Sequence, residues 1–185
     1  MPPRPAPPRP APPKVIAPEA KSSAWKTVMV VDPDADSRKR VVELLREAAR
    51  AARDPGTSAG PGAVAPPTDE SHTLAVHEAD NGNAAWALVE VVKPDLVVAE
   101  ILLEGLSGMQ LLRRLRERYE ADAPAMIFVT TMSNEVDRYW ALRNGATAYI
   151  IKPFDDEFLR ARATKFFEDR DEGGLDLDSN WIAVP

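Results

Sequence analysis

The chain has 185 residues, with 23 lysines and arginines against 29 aspartates and glutamates, for a net charge of −6. That length suits one domain with tails. The absence of cysteine excludes a disulfide framework, a thiolate metal site and a cysteine nucleophile. The negative charge argues against direct nucleic-acid binding, and no apolar run is long enough to span a membrane. Because the chain also lacks a secretory signal, we expect a cytoplasmic protein.

The first 24 residues are predicted to form a proline-rich tail. Nine of the 18 prolines lie between Pro2 and Pro18, and Pro-Pro-Arg-Pro-Ala occurs twice in tandem. Such a segment has few backbone donors and little to bury, which favours a solvated polyproline II conformation. The tail is either a solubilising linker or a ligand for a partner that binds proline and arginine in a groove.

Two further composition changes set the limits of the domain, which we predict over 25–168. Glycine, proline and small residues without apolar periodicity fill 53–73, and they predict a long inserted loop. The segment 169–185 is an acidic tail that ends in an apolar tip. Because the two tails have opposite charges, they are candidates for contacts with partners.

Short apolar runs alternate with stretches of helical periodicity between these limits. The runs are typical of buried parallel strands, and each is followed by a helix. In the first helix, apolar residues recur from Val41 to Ala49 at i, i+3, i+4 spacing. Ser107 is expected to start the third helix, Ser133 to cap the fourth, and the fifth to cover 154–167. The strands are predicted at 27–31, near 74–76, and at 96–99, 125–129 and 148–151.

Five strands that alternate with five helices predict an α/β fold, a doubly wound parallel sheet with helices on both faces. In such sheets, functional groups gather beyond the carboxyl ends of the strands. This singles out 32–34, 100–102, 130–131 and 152–153.

In these segments the chain resembles the receiver domain of two-component response regulators. The resemblance spans about residues 26 to 168, in matching order and spacing, and it implies a flavodoxin-like, five-stranded fold. It does not cover the tails or the inserted loop. The segments that carry it are 28–32, 94–103 with 105–108, 127–131 and 145–154.

The resemblance also implies a chemistry. In receivers an aspartate after the third strand accepts a phosphoryl group, and acidic residues after the first strand help to hold a divalent cation. By position, Asp32 is the first acidic residue of that pocket and Lys152 is the lysine that contacts the phosphoryl group. Thr130 is the switch hydroxyl and Tyr149 is the switch aromatic, which moves into the fold when the hydroxyl is drawn inward.

Two departures affect the chemistry of this pocket. The acceptor position holds Glu100, whose carboxylate is one methylene further out and should reach toward Lys152. The second acidic position holds Pro33, and Asp34 follows one residue later, with a different side-chain direction. Asp32 and Asp34 are the candidate residues of the acidic pocket. We therefore expect no cofactor and no metal, and any residual magnesium site would be a weak one at Asp32 and Glu100.

These departures favour a pseudo-receiver that acts without phosphorylation, as an interaction module and not as an enzyme. The alternative is a phosphoacceptor receiver in a phosphorelay, with Asp32, Asp34 or Glu100 taking the phosphoryl group. Simpler interpretations remain at this stage: Glu100 is a solvated carboxylate, or Asp32 only caps the first helix.

A protein partner is expected on the face formed by the fourth helix, fifth strand and fifth helix, which receivers use for partners. Tyr139 and Trp140 lie beside that face, and an exposed Trp140 would be a binding anchor. The alternative is that Trp140 packs inward. A homodimer through the same face is a further expectation, whereas direct DNA binding is not, since no helix-turn-helix follows the domain.

Overall fold

The computed structural model describes residues 26–53 and 74–171, with side chains described over 26–52 and 74–168. The predicted tail 1–24, nearly all of the loop 53–73 and the apolar tip of the acidic tail lie outside these ranges, so these parts stay predictions. The last helix continues to Asp171, three residues into the segment predicted as acidic tail.

The strands form one fully parallel sheet in the order β2-β1-β3-β4-β5. This confirms the predicted doubly wound fold. The second strand, which was predicted around 74–76, continues to Ala79 and lies at the edge, where only Ala79 is fully buried. The strands are β1 Lys26–Val31, β2 Leu74–Ala79, β3 Leu96–Ala99, β4 Ala125–Thr130 and β5 Ala148–Ile151.

A helix follows each strand, and a short 3-10 turn, Glu120–Asp122, follows the third helix. Within the described ranges, no helix is long and apolar enough to cross a membrane. The helices are α1 Ala35–Arg53, α2 Gly82–Val92, α3 Gly108–Tyr119, α4 Glu135–Arg143 and α5 Asp156–Asp171.

The helix starts follow their capping residues. Ser107 caps α3 as predicted, in a reciprocal capping box with Gln110. The predicted cap Ser133 is wrong, because the side chain of Asn134 accepts the hydrogen bond from the backbone of Val136. The predicted start of α5 at Phe154 is also wrong, since Asp155 accepts a hydrogen bond from the Glu157 backbone and fixes the start at Asp156.

The sheet separates two hydrophobic cores. Side chains alternate along each strand, so Val28 and Val30 pack toward α1 and α5, whereas Met29 and Val31 pack toward α2, α3 and α4. The strands other than the edge strand β2 are therefore largely buried on both faces, and their carboxyl ends hold the candidate functional site.

Candidate functional site

The carboxyl ends of four strands bring together residues that are far apart in the sequence. Asp32 follows β1, Glu100 follows β3, Thr130 ends β4 and Lys152 follows β5. The backbone ladder continues one residue beyond the strands, because Asp32 N donates to Ala79 O and Glu100 N donates to Val31 O. These bonds fix the direction in which both carboxylates leave the sheet.

Asp32, Glu100 and Thr130 are the polar side chains that are buried in the described part of the chain, with exposed fractions of 3%, 4% and 0%. A buried carboxylate is unfavourable unless charged or hydrogen-bonding groups satisfy it. The partners of these side chains therefore decide what the site can do.

Glu100 is surrounded by hydrogen-bond donors. One carboxylate oxygen, Oε1, accepts a short hydrogen bond from the Thr130 hydroxyl. The other oxygen, Oε2, accepts from the Lys152 ammonium at 3.2 Å. Backbone N–H groups complete the set, from Ile101 at 2.7 Å and Leu102 at 3.3 Å to Oε1, and from Thr131 at 3.1 Å to Oε2. The interpretation of Glu100 as a drifted, solvated carboxylate is therefore wrong.

Gly108 allows the start of α3 to approach the backbone of Glu100 closely. A Cβ atom at Gly108 would lie 2.5 Å from the Glu100 carbonyl oxygen and 2.9 Å from the Ile101 Cα. The Gly108 N–H in turn donates to the Ile101 carbonyl at 3.0 Å. Only glycine allows this approach, which holds the turn that carries the Ile101 and Leu102 amides.

Lys152 joins the two buried carboxylates. Its Nζ atom lies 2.5 Å from Asp32 Oδ2 and 3.2 Å from Glu100 Oε2, and the side chain is largely buried. Its backbone N–H extends the sheet by donating to the Thr130 carbonyl at 2.8 Å, and the bond to Pro153 is cis. The predicted reach of Glu100 to Lys152 is therefore present.

Asp32 has two further donors from the start of α1. Its Oδ1 atom accepts from the Asp34 backbone at 2.9 Å, and Oδ2 accepts from the Ser37 hydroxyl at 2.8 Å. Arg38 donates to the Asp32 carbonyl at 2.6 Å while its guanidinium pairs with Glu78 at 3.0 Å. Both oxygens of Asp32 are thus engaged within the protein.

The side chain of Asp34 has a different role from the one its predicted place in the acidic pocket implied. It is exposed, and its carboxylate accepts from the Ser37 backbone at 2.6 Å, which is the geometry of a helix cap. Lys152 pairs with Asp32 and Glu100 instead. The shift of one residue caused by Pro33 directs Asp34 to α1, so Asp34, and not Asp32, caps that helix.

The switch residues meet through the backbone of Met132. Thr130 Oγ1 accepts from Met132 N at 3.2 Å, and the Tyr149 hydroxyl donates to Met132 O at 2.9 Å. Tyr149 is buried and packs edge-on against Phe128, with ring centroids 6.1 Å apart. Tyr149 is therefore in an inward position, tied to the same loop as Thr130.

The surroundings shift the pKa values of Glu100 and Tyr149. Burial by itself raises the pKa of Glu100, but hydrogen bonds from Thr130 and Leu102 and the charge of Lys152 outweigh it, so the pKa lies below the ordinary 4.5. Burial, followed by the charges of Asp137 and Glu100, raises the pKa of Tyr149 to about 12. Glu100 is therefore ionised and Tyr149 neutral near pH 7.

The donor set does not fit the magnesium centre that the receiver resemblance implies. Pro33 offers no carboxylate at the second acidic position, and the Lys152 ammonium lies between the two carboxylates that remain. In the described ranges, no group of three or more His, Cys, Asp or Glu is placed to hold a metal ion. Magnesium needs well-placed oxygen ligands, which here are already bound to protein donors.

The outer surface of α4 carries apolar side chains. Tyr139 and Trp140 are 58% and 52% exposed, and their rings meet edge to face at 5.5 Å. Val136, one turn away, is equally exposed. The alternative that Trp140 packs inward is wrong, because Ala141 occupies the buried side of the helix.

Three contributors to the site had no role assigned by the sequence analysis, although Thr131 lies in the segment 130–131 that it singled out. Ser37 binds Asp32, Thr131 donates its backbone N–H to Glu100, and Met132 links Thr130 to Tyr149. Ser37 had a signal, because it lies five residues after Asp32 in the first turn of α1. The other two act through backbone atoms, for which their side-chain types give no signal.

The chain has relatives among known proteins. The sequence model of the response regulator receiver domain matches residues 68–164, more than half of the chain. Protein PilH of Pseudomonas aeruginosa is 41% identical over 90 residues, which cover 49% of this chain and 74% of PilH. The phosphate regulon transcriptional regulatory protein PhoB of Rhizobium meliloti is 41% identical over 81 residues, 44% of this chain but only 36% of PhoB.

A solved structure of a two-component response regulator from Clostridium difficile superposes with a TM-score of 0.59 at 19% identity, over 80% of this chain and 99% of that one. Fold and strand-end site thus define the class of signal receivers built on a doubly wound sheet. The chain belongs to the response regulator receiver domain family, and it is a receiver domain of two-component signalling.

Proposed function

We propose that this chain is a pseudo-receiver, a receiver domain that binds a protein partner without being phosphorylated. Glu100 stands at the acceptor position, and its carboxylate takes the place of the phosphoryl group. The observation that carries this proposal is the donor set of Glu100. The Thr130 hydroxyl and the Lys152 ammonium, the two groups that receivers direct at the phosphoryl oxygens, both bind this carboxylate.

The position of the switch residues supports the same conclusion. In receivers the phosphoryl group draws the hydroxyl inward and the aromatic side chain follows. Here Thr130 is bound to Glu100, and Tyr149 is buried against Phe128 and tied to Met132. A fixed carboxylate thereby holds the inward arrangement that modification would otherwise induce.

The same contacts oppose phosphoryl transfer. An attacking carboxylate oxygen must be free and in line with the donor, whereas both oxygens of Glu100 accept hydrogen bonds from the protein. Pro33 removes one acidic group that would help to hold a cation. We accordingly assign no catalytic role to the site.

The partner surface in this proposal is the face of α4, β5 and α5. Tyr139, Trp140 and Val136 present apolar surface there, and aromatic side chains are the commonest anchors of protein interfaces. Asp137, on the same helix, is close enough to Tyr149 to affect its pKa. The inward Tyr149 shares a hydrophobic cluster with Ala141 on the buried side of α4, the helix that would meet the partner, and a homodimer would use the same face.

The test is exposure to a small phosphodonor with Mg²⁺, followed by intact-mass measurement. The wild-type chain should gain no phosphoryl group. The double variant Pro33→Asp/Glu100→Asp is the matched control, and it should gain one, because it restores both missing aspartates. A stoichiometric gain by the wild type that disappears in Glu100→Gln would contradict the proposal and establish the alternative, a phosphoacceptor receiver.

A further inference from the structure

A hydrogen-bonded chain enters the pocket from α1. The Ser37 hydroxyl donates to Asp32 Oδ2 at 2.8 Å, and the same oxygen accepts from Lys152 Nζ at 2.5 Å. Lys152 also donates to Glu100, at the longer distance of 3.2 Å. The ammonium is therefore shared between two carboxylates, and the donors on Asp32 affect how it is shared.

The series of hydrogen bonds continues from Glu100 to Tyr149, the predicted switch aromatic. Glu100 accepts from Thr130, Thr130 accepts from the Met132 backbone, and the Met132 carbonyl accepts from Tyr149. The links from Ser37 to Thr130 are direct hydrogen bonds between side chains, whereas Thr130 and Tyr149 are joined through the backbone of Met132, whose N–H and C=O groups each bind one of them. Linked hydrogen bonds at buried sites polarise one another, so the loss of one affects its neighbours.

We propose that Ser37 is a positioning residue for Lys152. Its hydroxyl satisfies part of the Asp32 carboxylate, so that the Lys152 ammonium remains available to Glu100. The contacts of Glu100 with Thr130, and of Thr130 and Tyr149 with Met132, then stay in place. This rests on the proposed function, because it takes Glu100 as the group that holds the inward state.

The local geometry explains why Ser37 suits this role. Its backbone N–H donates to the Asp34 carboxylate at 2.6 Å, and this fixes the first turn of α1 against the end of β1. Its side chain is partly buried, unlike those of the exposed Pro33 and Asp34, and its hydroxyl reaches Asp32 at 2.8 Å. A hydroxyl has a single hydrogen to donate, and here it is directed at Asp32.

Removal of the Ser37 hydroxyl should change the position of the Lys152 ammonium between the two carboxylates. In Ser37→Ala, Asp32 keeps its charge and burial but loses one of its side-chain donors, so Lys152 should move toward Asp32 and away from Glu100. Thr130 and Tyr149 would then be held less firmly. A merely structural serine would instead lower stability without any effect on Lys152 or Tyr149.

The experiment uses the full chain and two measurements. The ¹⁵N chemical shift of the Lys152 ammonium should change in Ser37→Ala and return in Ser37→Thr, which keeps the hydroxyl. The rate of chemical modification of Tyr149, followed by peptide mass spectrometry, should rise about fivefold in Ser37→Ala, the factor for a lost hydrogen bond of about 1 kcal/mol. In a Lys152→Met background, Ser37→Ala should have no further effect on Tyr149.

Ser107→Ala is the matched control, because Ser107 caps α3 and makes no contact with the pocket's side chains among its described hydrogen bonds. It should leave both measurements unchanged. If Ser37→Ala behaves like Ser107→Ala while Glu100→Ala exposes Tyr149, the role of Ser37 is refuted and the pseudo-receiver proposal survives. If Glu100→Ala leaves Tyr149 protected, the pseudo-receiver proposal itself fails, whatever the shift of Lys152 shows.

Discussion

The α1–α5 pair on one face of the sheet and α4 on the other are packed in different ways. On one side, α1 and α5 are joined by ion pairs, Arg40 with Asp156 and Arg160 with Glu47, above a core that includes Leu159 and Phe167. On the other side, α4 buries only Ala141 fully and leaves its large apolar side chains exposed. The α1–α5 pair is fixed by a buried core and ion pairs, whereas α4 leaves apolar side chains exposed on the helix that follows β4.

The largest expected change in the free energy of unfolding distinguishes the α1–α5 pair from α4. Phe167→Ala should lower the free energy of unfolding by about 3–5 kcal/mol, because it opens a cavity in the α1–α5 core. Trp140→Ala, the control on α4, should change it by only about 0.5 kcal/mol, since the side chain is half exposed. Urea denaturation measures both, and similar losses from the two variants would refute the contrast.

Loss of the Lys152 charge should disturb α4 more than the α1–α5 pair. Lys152→Met leaves two buried carboxylates without their shared cation, and it should cost about 3 kcal/mol near pH 7. Hydrogen exchange should increase first in α4 and β5, which adjoin Tyr149. The double variant Lys152→Met/Glu100→Gln should recover part of the loss, and an absence of recovery would mean that the charge of Glu100 is not the cause.

The decrease in the free energy of unfolding at acid pH should depend on Glu100. Its pKa lies below 4.5 in the folded chain, so the unfolded state binds the proton more readily. The contribution of Glu100 is therefore fully present above its unfolded pKa and is lost as the pH falls through the folded pKa. Glu100→Gln should flatten the pH dependence of the unfolding free energy in that window, whereas Glu104→Gln, at a neighbouring exposed position, should not. Identical acid limbs in wild type and Glu100→Gln would contradict this.

The smallest effect concerns the surface ion pairs. Asp156→Asn should cost about 0.2–1 kcal/mol, because both partners of the Arg40 pair are about half exposed. The difference from the wild type should disappear at about 1 M salt, where the charges are screened. A loss comparable to that of Phe167→Ala would show that the ion pairs, and not the apolar core, hold the α1–α5 layer.

Much of the candidate site could be predicted because strand ends in a parallel sheet converge. Asp32, Glu100, Thr130 and Lys152 were chosen from their positions after apolar runs, and the structure brings all four together. Asp34 was misplaced, because its side-chain direction depends on how the backbone leaves β1 around Pro33. The burial of Trp140 was undecided for a similar reason, since the periodicity of a short helix such as α4 does not show which side meets the sheet.

The sequence by itself determined the alternation of strands and helices, the position of Glu100 where the receiver resemblance places the acceptor, and the lack of an acid at Pro33. Only the tertiary structure decided that Glu100 accepts from Thr130, Lys152 and backbone amides, and that Tyr149 lies inward. The physical reason is distance along the chain. Periodicity and residue type report local preferences, whereas the hydrogen bonds of Thr130, Thr131 and Lys152 to Glu100 and of Tyr149 to Met132 join residues 17 to 52 positions apart and form only when the strands are side by side.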